Sequence, residues 1–497
     1  MVATRPVCRS AHQLRCSPSV GRACPTVAGV HSADLVVLGA GPAGLAAAWR
    51  AARRGLSVVV LERAAAVGGM AASFEVGGMQ VDHGSHRLHP SIAPAVLADL
   101  TDLLGDDLQL RPRNGRLRVA DRWVGFPLRP GELARTLPRS LLARIGVDAL
   151  AAPRRHRSGE PASFADALRR GLGPALYDQL YGPYAVKLWG LPGEAIDAEQ
   201  ARRRVTADTP WKIAARMLRR GGGTNGLGRV FRYPRRGFGQ LTEAIAGAAV
   251  DAGAELRLST QAEAVLTSTE GVTVRTVGGP EIAARHVFST VPLPVLARIT
   301  TPAPAPDAAE GAAHLRFRSM VLIYVVHQGA RPWTPFDAHY LPQASTPLTR
   351  VSEPANYRDS ADDPRDRTVL CCELPCSVGD EHWTASDEQL GALVAEHLGR
   401  VGLPPLSVAE VHTRRLPRVY PVYEIGFQRH LQALDDWAAA LPRVTTFGRL
   451  GLFAHDNTHH ALAMAYDAVD ALRRGAVFDE GAWTAARRRF AAHVVED

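Results

Sequence analysis

The sequence predicts an α/β fold class, α+β over the whole chain, in which a parallel-stranded domain is discontinuous in sequence and carries an inserted domain of mixed sheet and helices. Three observations predict this arrangement. Residues 34–63 combine an apolar run, a glycine-rich turn, an alanine-rich stretch and a second apolar run. Residues 301–440 alternate β-rich runs with a helical pattern, and 497 residues are enough for two domains with separate cores.

The composition is that of a globular protein, with 46% hydrophobic and 22% charged residues and a formal net charge of +9. No apolar run reaches the roughly 18 residues of a membrane helix, so residues 320–326 predict a buried strand. Residues 1–33 hold four arginines and no acidic residue. They predict a disordered tail or the product of an upstream start codon, although their composition also resembles a transit peptide. Six cysteines without a C-x-x-C pair predict a reducing cytoplasm and no zinc framework.

The first predicted unit is a Rossmann-type, NAD(P)-binding-like motif. Leu35–Leu38 predict a buried parallel strand, an alanine-rich helix follows to about Arg54, and Val58–Leu61 predict the next strand. Glu62 ends that strand 23 residues after Gly39, where a carboxylate can accept hydrogen bonds from an adenosine ribose. Strand, turn, helix, strand and acid therefore occur in the order that a dinucleotide requires.

The turn itself has G-x-G-x-x-G spacing at Gly39, Gly41 and Gly44. The first glycine permits a tight turn, the second lets the backbone approach a pyrophosphate, and the third lets the helix pack on the strand. The helix N-terminus, beginning at Pro42 and Ala43, supplies free N–H groups and partial positive charge to phosphates. Residues 221–226 have the same spacing but follow no strand, so they predict a flexible loop.

A second glycine pair, Gly68-Gly69, follows Glu62 after five residues and precedes Met70. This pattern, followed by a strand and D-x-G, resembles the FAD-binding signature of the amine oxidase and protoporphyrinogen oxidase superfamily. A nicotinamide enzyme, the alternative, has no reason for the second pair. The resemblance implies noncovalent FAD and these cofactor-binding residues: Gly39, Gly41, Pro42, Ala43, Gly44, Glu62, Arg63, Gly69, Met70, Gly84, Ala262, Thr290, Gly448, Arg449 and His459.

The stretch 82–90, DHGSHRLHP, spaces three histidines three residues apart. On a helix they would form a metal site, but Gly84 and Pro90 argue against a helix. The stretch resembles the D-x-G-x-H-x-x-H loop of the UDP-galactopyranose mutase branch and of bacterial protoporphyrinogen-oxidase-like proteins. The resemblance implies that His86, with Arg87 and His89, lies beside the flavin ring, where His86 hydrogen-bonds N5 or O4 or moves a proton. We therefore expect no metal there.

Lys187-x-Trp189-Gly190, with Arg203 fourteen residues after the tryptophan, resembles the K-x-W-G…R pattern of the mutase branch. The resemblance implies that Trp189 stacks on substrate and that Arg203 contacts it, which suits an indole face and a guanidinium. The alternative is a helix whose tryptophan is in the core and whose arginines are solvated. The candidate catalytic residues are His86, Arg87, His89, Lys187, Trp189 and Arg203.

Near the C-terminus, Gly448-Arg449 follows an apolar strand and precedes an alanine-rich helix, which resembles the last FAD motif of the superfamily. By that resemblance the helix N-terminus near His459 points at flavin N1 and O2. His459-His460 could be metal ligands in principle, but no acidic or cysteine partners are identified nearby, so we expect no metal. The intervening residues 453–457 lack the tyrosines of the mutase and add Asp456. An aspartate beside a diphosphate would be repulsive and disfavours a nucleotide-sugar substrate.

Other local patterns predict a hairpin with an Asn-Gly turn at residues 113–128, a helix capped by Ser163 and Asp166, and a helix near 387–401. The domain prediction is a disordered tail at 1–33; an FAD-binding domain from 34–95, 234–300 and 441–478; a substrate domain from 96–233 and 301–440; and a tail or helix at 479–497.

The predicted function is that of an enzyme, an FAD-dependent oxidoreductase of oxidase, dehydrogenase or desaturase type that passes hydride from a small organic substrate to flavin N5. The alternatives are a redox-neutral sugar mutase using reduced FAD and a flavin-containing binding protein without turnover. The positive charge is compatible with an anionic substrate, and we expect oxygen or another acceptor and no nucleic acid. The basic helical stretch 137–157 is a candidate for peripheral membrane contact.

Overall fold

The computed structural model describes residues 31–155, 159–204 and 230–495. Its strands are β1 (His31–Leu38), β2 (Val58–Leu61), β3 (Ser73–Val76), β4 (Met79–Asp82), β5 (Leu108–Pro112), β6 (Gly115–Val119), β7 (Arg122–Phe126), β8 (Val230–Pro234), β9 (Glu255–Arg257), β10 (Ala262–Thr267), β11 (Val272–Thr276), β12 (Ile282–Ser289), β13 (Thr300–Thr301), β14 (Phe317–Gln328), β15 (Ala338–Tyr340), β16 (Arg350–Ser352), β17 (Arg367–Cys376), β18 (Val408–Pro421) and β19 (Val444–Thr446).

The helices are Pro42–Arg53, Pro94–Leu104, Pro130–Thr136, Arg139–Arg155, Phe164–Leu172, Pro174–Leu176, Gly182–Trp189, Ala198–Arg204, Gly239–Asp251, Leu293–Ile299, Pro306–His314, Glu381–Thr384, Asp387–Arg400, Phe427–Ala439, Gly448–Gly451, Thr458–Ala471 and Glu480–Phe490. A π-helical turn, Tyr177–Tyr181, and short 3₁₀ turns at Gly69–Ala71, Gly105–Asp107, Pro354–Tyr357 and Arg474–Ala476 complete the set. Within the described ranges, no helix is both long and apolar enough to cross a bilayer.

The first sheet combines strands from three distant parts of the chain. Its order is β13-β10-β11-β12-β1-β2-β9, and β19 pairs with the end of β12. β1 lies between β12 and β2 and runs parallel to both, with Val37 opposite Phe288 and Val60. Residues 35–38 are at most 1% exposed, as expected for a parallel strand covered on both faces. The predicted α/β fold with a discontinuous parallel domain is confirmed.

Helices cover this sheet through small side chains. The alanine-rich helix Pro42–Arg53 packs against Gly239–Asp251 and Thr458–Ala471, and its alanines are almost fully buried. The last helix, Glu480–Phe490, packs on Thr458–Ala471 and adds Trp483 and Phe490 to the same core. The segment predicted as a tail or helix is therefore mainly helical and joins the core of the first sheet.

The second sheet has the order β18-β14-β17-β16-β15-β6-β7. Strand β14 is antiparallel to both β17 and β18. Its residues 319–326 are at most 2% exposed, which confirms the buried strand predicted for 320–326. Since β6 and β7 precede most of the other strands by nearly 200 residues, this sheet is also assembled from separate parts of the chain.

The hairpin predicted at 113–128 exists, but its turn was misplaced. Ala120 and Asp121 form the turn, with φ of +46° and +59°. Asn114 instead precedes β6, and its backbone N–H donates to Asp337 Oδ2 at 3.0 Å. A Cβ on Gly115 would lie 3.3 Å from Asp337 Oδ1, so the missing side chain lets this carboxylate approach the backbone closely.

Two other expectations can be compared with the described residues. The cap prediction is confirmed, because Ser163 Oγ accepts from the Asp166 backbone N–H at 3.1 Å. The tail boundary at residue 33 was wrong, since β1 begins at His31 and residues 31–33 pair with 282–284. Residues 1–30 and the glycine-rich stretch 221–226 lie outside the described residues.

Candidate functional site

The glycine-rich turn lies at the carboxyl end of β1, and its three glycines have different surroundings. Gly39 has φ of +103°, and a Cβ there would lie 2.5 Å from Thr290 Oγ1. A Cβ on Gly44 would lie 1.9 Å from Gly39 O, so helix and turn touch through backbone. A Cβ on Gly41 would meet nothing within 4 Å. Open space therefore exists only at the middle glycine of the three, where the motif requires a pyrophosphate.

Glu62 and the second glycine pair lie against this turn. Glu62 Oε2 accepts from the Ala40 N–H at 2.8 Å, and Gly68 N–H donates to Ala40 O at 2.8 Å. A Cβ on Gly69 would lie 3.5 Å from Gly41 Cα, so the two glycine motifs meet at the open space. The carboxylate is oriented by backbone donors and retains lone pairs for a ribose. Of the neighbouring predicted residues, Met70 is half-buried and Arg63 is exposed.

Distant parts of the chain complete the surroundings of the turn. Thr290 Oγ1 donates to Leu38 O at 2.9 Å. Gly448 has φ of +80°, and a Cβ there would lie 3.2 Å from Ala43 Cβ. Ala262 opens β10 two residues after Thr260, whose N–H donates to Glu62 O at 2.8 Å. Helix Pro42–Arg53 has no side-chain cap on its first turn. The residues present therefore fit a dinucleotide, because an uncapped helix N-terminus faces an open, glycine-lined turn.

The histidine loop is non-helical and is anchored by Asp82. The two carboxylate oxygens accept hydrogen bonds from Ser73 Oγ at 2.6 Å, Phe238 N–H at 2.8 Å and Tyr233 OH at 2.5 Å. The backbone carbonyl of Asp82 accepts from Tyr324 OH at 2.6 Å. These donors come from β3, β8, β14 and the start of a helix, so the loop is tied to both halves of the molecule.

His86 is the predicted flavin neighbour and is enclosed in this loop. Its ring stacks on Phe238 at a centroid distance of 5.2 Å, and Nε2 lies 3.1 Å from His83 O. Because a carbonyl only accepts, Nε2 carries the proton and the lone pair is on Nδ1. Burial lowers the pKa of His86 below its ordinary value. The residue can thus act as a neutral acceptor at neutral pH.

His83 and Gly84, on either side of that carbonyl, position the loop. His83 Nδ1 lies 3.2 Å from Gly69 O, which links the loop to the second glycine pair. Gly84 has φ of +98°, and a Cβ there would lie 3.5 Å from Glu373 Oε1. The predicted Gly84 therefore lets the loop pass over a buried carboxylate.

Arg87 and His89 have packing partners that define their surroundings. Arg87 pairs with Asp337 at 3.1 Å and donates to Tyr340 OH at 3.0 Å. A guanidinium engaged in this way connects the loop to the second sheet. The His89 ring lies 5.9 Å from the ring of His459, which is 4% exposed at the start of helix Thr458–Ala471.

The K-x-W-G helix faces the protein interior. Trp189 is 5% exposed and packs edge-on against Phe164, with centroids 5.1 Å apart, inside an apolar cluster. This burial agrees with the alternative of a core tryptophan, and stacking of Trp189 on substrate stays a prediction. The Lys187 ammonium donates to Leu341 O and, at 3.0 Å, to Gln343 O, and burial lowers its pKa to about 7.

Arg203 is engaged by other groups of the protein, and its predicted contact with substrate stays a prediction. Its Nε donates to Glu199 Oε1 at 2.7 Å, and its Nη1 donates to Phe490 O at 3.2 Å. Its carbonyl accepts from Val495 N–H at 2.8 Å. These contacts bind helix Ala198–Arg204 to the C-terminal segment.

The side chain of the next residue, Arg204, lies against two aromatic rings. Its guanidinium lies 4.8 Å from the Tyr420 ring and 6.0 Å from the Trp189 ring. Among the described residues it forms no ion pair and no hydrogen bond through its side chain. Tyr420 also lies under Arg449, at 5.3 Å. Burial, and less strongly Arg204, lowers the pKa of Arg449. Two guanidinium groups thus share one tyrosine without a carboxylate.

A paired arginine connects this group to the histidine loop. Arg350 binds Glu373 Oε1 through Nη2 at 2.6 Å, and Glu373 Oε1 accepts from the Ser85 N–H at 3.0 Å. Tyr184 lies within electrostatic range of both Arg350 and Arg204. We use the name arginine–tyrosine pocket for this group of neighbouring side chains: Tyr184, Arg204, Arg350, Tyr420 and Arg449. Sequence reasoning missed most of it; the run Arg202–Arg204 was the only signal for Arg204.

Asp456 also departs from expectation. Its carboxylate lies 2.9 Å from His493 Nδ1 and 3.4 Å from His460 Nδ1, and its side chain has no exposed surface. Asp456 is thus paired within the protein, and its repulsion of a substrate diphosphate stays a prediction. The reason given against a metal at His459-His460, the lack of an acidic partner, is wrong.

Comparisons with known proteins agree with this geometry. The sequence profile of the family described as flavin containing amine oxidoreductase matches residues 42–461. No curated protein sequence matches the chain. Among solved structures, reduced UDP-galactopyranose mutase superposes with a TM-score of 0.77 at 21% identity, covering 93% of this chain and 100% of that one.

Two further solved structures are similar. A putative protoporphyrinogen oxidase from Exiguobacterium sp. 255-15 has a TM-score of 0.67 at 20% identity, covering 89% of this chain and 98% of that one. Putrescine oxidase bound to putrescine has a TM-score of 0.64 at 18% identity, with 88% and 98% covered. At these identities the likeness shows the shared fold.

Proposed function

Because this chain belongs to the flavin-containing amine oxidoreductases, with FAD as cofactor, we propose that it oxidises a small anionic organic substrate bound in the arginine–tyrosine pocket. We propose an anionic substrate because the guanidinium of Arg204 has no carboxylate partner among the described residues. Arg350 has Glu373 and Arg87 has Asp337. A half-buried unpaired cation beside Arg449 is costly, and an anion would offset that cost.

The cofactor is held, in this proposal, by the glycine turn, the second glycine pair, Glu62, Thr290 and Gly448. When bound, the flavin supplies the hydride acceptor at N5. A guanidinium orients a carboxylate or phosphate with paired hydrogen bonds, so Arg204 positions the substrate. The rings of Tyr184 and Tyr420 flank it and exclude water from one side.

His86 is the proposed proton acceptor. Its Nε2–H is held by His83 O, which fixes the tautomer and leaves Nδ1 free. An N–H or O–H proton of the substrate passes to Nδ1 while hydride leaves the adjacent carbon. Since burial lowers the pKa of His86, the ring is neutral and ready to accept at neutral pH.

The test is anaerobic mixing of the holoprotein with matched substrate pairs, such as an amino acid and its amide. We expect the carboxylate member to bleach the visible flavin absorbance and the amide to do so at least tenfold more slowly. His86→Ala should slow bleaching more than it weakens binding. Equal bleaching by neutral or purely cationic amines would exclude the anionic substrate while leaving the oxidoreductase intact.

A second candidate, a redox-neutral sugar mutase, is favoured by one observation. Asp456 is turned toward His460 and His493, so the pocket carries no opposing carboxylate from this loop and is compatible with a diphosphate. Dithionite-reduced protein should then isomerise UDP-galactose, without bleaching of the oxidised protein by any candidate. We expect weak or absent isomerisation, and efficient turnover would establish the mutase instead.

A further inference from the structure

Three potential ligands converge below the start of helix Thr458–Ala471. The ligand atoms of Asp456, His460 and His493 all lie within 4.8 Å of one another. The two imidazole rings stack at a centroid distance of 4.2 Å, with 13° between their planes. The residues come from the loop before the helix, the helix itself and the chain terminus, so tertiary folding brings them together.

The observed distances suit a small divalent ion. Bond lengths of about 2.0–2.2 Å for zinc place neighbouring ligand atoms of a tetrahedral site roughly 3.3–3.5 Å apart. Asp456 Oδ1 lies 3.4 Å from His460 Nδ1 and 2.9 Å from His493 Nδ1. To bind the same ion, His493 would move outward from Asp456 and turn out of its stack on His460, because an ion lies in the plane of each imidazole that binds it.

The buried carboxylate lacks a partner for one oxygen. Asp456 Oδ2 is buried without a hydrogen bond, which is costly for a charged group. Arg449 lies nearby but donates to the backbone carbonyl of Asp456 at 3.2 Å, not to its carboxylate. A bound cation would satisfy the free oxygen and offset the buried charge.

The cluster is also reachable from solvent. A surface cavity of about 390 Å³ is lined by Ser91, His459, His460 and His493 together with small or apolar residues. Three protein ligands leave a fourth coordination position, and the cavity provides room for water there. One contact competes: the Asn457 N–H donates to His460 Nδ1 at 3.2 Å. This long bond would be displaced, while the Asn457 side chain continues to cap the helix.

We propose that Asp456, His460 and His493 bind one divalent transition-metal ion of the zinc class. Two imidazoles and a carboxylate favour zinc over magnesium or calcium, which prefer all-oxygen sites. The ion would fasten the C-terminal segment to the loop and helix at residues 453–471. Arg203, which binds Phe490 O, fastens the same segment from the other side.

The experiment uses the holoprotein after dialysis against EDTA. Zinc is added in excess, unbound metal is removed by gel filtration, and metal per chain is measured by elemental analysis. We expect one zinc per chain, a rise of several degrees in Tm, and visible Co²⁺ d–d bands in a difference spectrum when Co²⁺ replaces zinc. A holoprotein that takes up no zinc would overturn the proposal.

The variants locate the ion. His493→Ala, near the chain terminus, should lower zinc to below 0.2 per chain and abolish the Tm rise while FAD content, a measure of folding, stays at one. His314→Ala is the matched control, because Glu310, His314 and His430 form the other three-ligand group among the described residues, on the surface. Zinc that is retained in His493→Ala, or lost in His314→Ala, would assign the ion elsewhere and overturn the proposal.

Discussion

The glycine turn and the arginine–tyrosine pocket are built in opposite ways. The turn is made of backbone from two stretches less than 30 residues apart, and its essential feature is the absence of side chains at Gly41 and Gly69. The pocket is made of side chains from five separate elements, and its essential feature is Arg204, a cation with no carboxylate partner among the described residues. Local backbone geometry is recorded in residue spacing, whereas a convergent set of side chains depends on how helices rotate and pack.

The largest expected effect is a difference in stability between variants of two glycines in the turn, Gly44 and Gly41. Gly44→Ala should destabilise the protein by more than about 3 kcal/mol, because its Cβ would lie 1.9 Å from Gly39 O, beyond ordinary overpacking. Gly41→Ala should leave the Tm of the apoprotein unchanged but weaken FAD, because its Cβ would occupy open space at φ of −78°. Thermal unfolding with and without FAD measures both. Equal Tm values for the two apoproteins would contradict the different roles.

The next test compares the neighbouring arginines Arg203 and Arg204. If Arg203, which the motif spacing indicated, binds the anion, the contrast between turn and pocket fails. Arg204→Ala should weaken pyrophosphate binding by roughly 10–100-fold, the loss of about 1.5–3 kcal/mol from a charged hydrogen bond. Arg203→Ala should change it less than threefold but lower Tm, because it ties two segments together. The Kd values can be followed in the flavin spectrum. A larger binding loss in Arg203→Ala would confirm the original assignment.

Glu62→Gln tests what a side chain contributes to FAD affinity at a turn that is otherwise made of backbone. Both carboxylate oxygens accept backbone N–H groups, from Ala40 and Ala64. An amide keeps only one accepting oxygen, so FAD affinity should fall by about 1–3 kcal/mol. Equilibrium dialysis of released FAD measures the change. Unchanged affinity would show that the ribose is held by other groups.

The last test is a pH slope at Lys187, which is the smallest change expected per step of the measurement. Burial lowers the pKa of this ammonium to about 7, from 10.5, so between these values the unfolded chain binds more protons than the folded one. Stability of the wild type relative to Lys187→Met should therefore rise with pH from about 7 to 10, by at most about 1.4 kcal/mol per pH unit. Urea unfolding at several pH values tests this. A constant difference would mean that the carbonyls of Leu341 and Gln343 keep the ammonium charged.

The sequence predicted more of the fold than of the pocket. The strand, turn and helix at residues 35–53 and the buried strand at 320–326 were confirmed because apolar periodicity and glycine spacing report local structure directly. Spacing alone could not distinguish Arg203 from Arg204, because a shift of one residue on a helix rotates a side chain by about 100°. The pairing of Asp456 was not predicted because His493 is 37 residues away in sequence. The assignments of individual FAD contacts stay predictions.

The position of β1 within its sheet also determines when its two neighbouring strands become available during synthesis. β2 emerges within 25 residues of β1, but β12, the neighbour on the other side, ends at residue 289, some 250 residues later. At about 5–20 residues per second, the apolar edge of β1 waits roughly 10–50 s for its partner. During that interval the strand edge is open to pairing with other chains. The nucleotide site is complete only after the last helix has been synthesised. Its first strand therefore needs protection during translation.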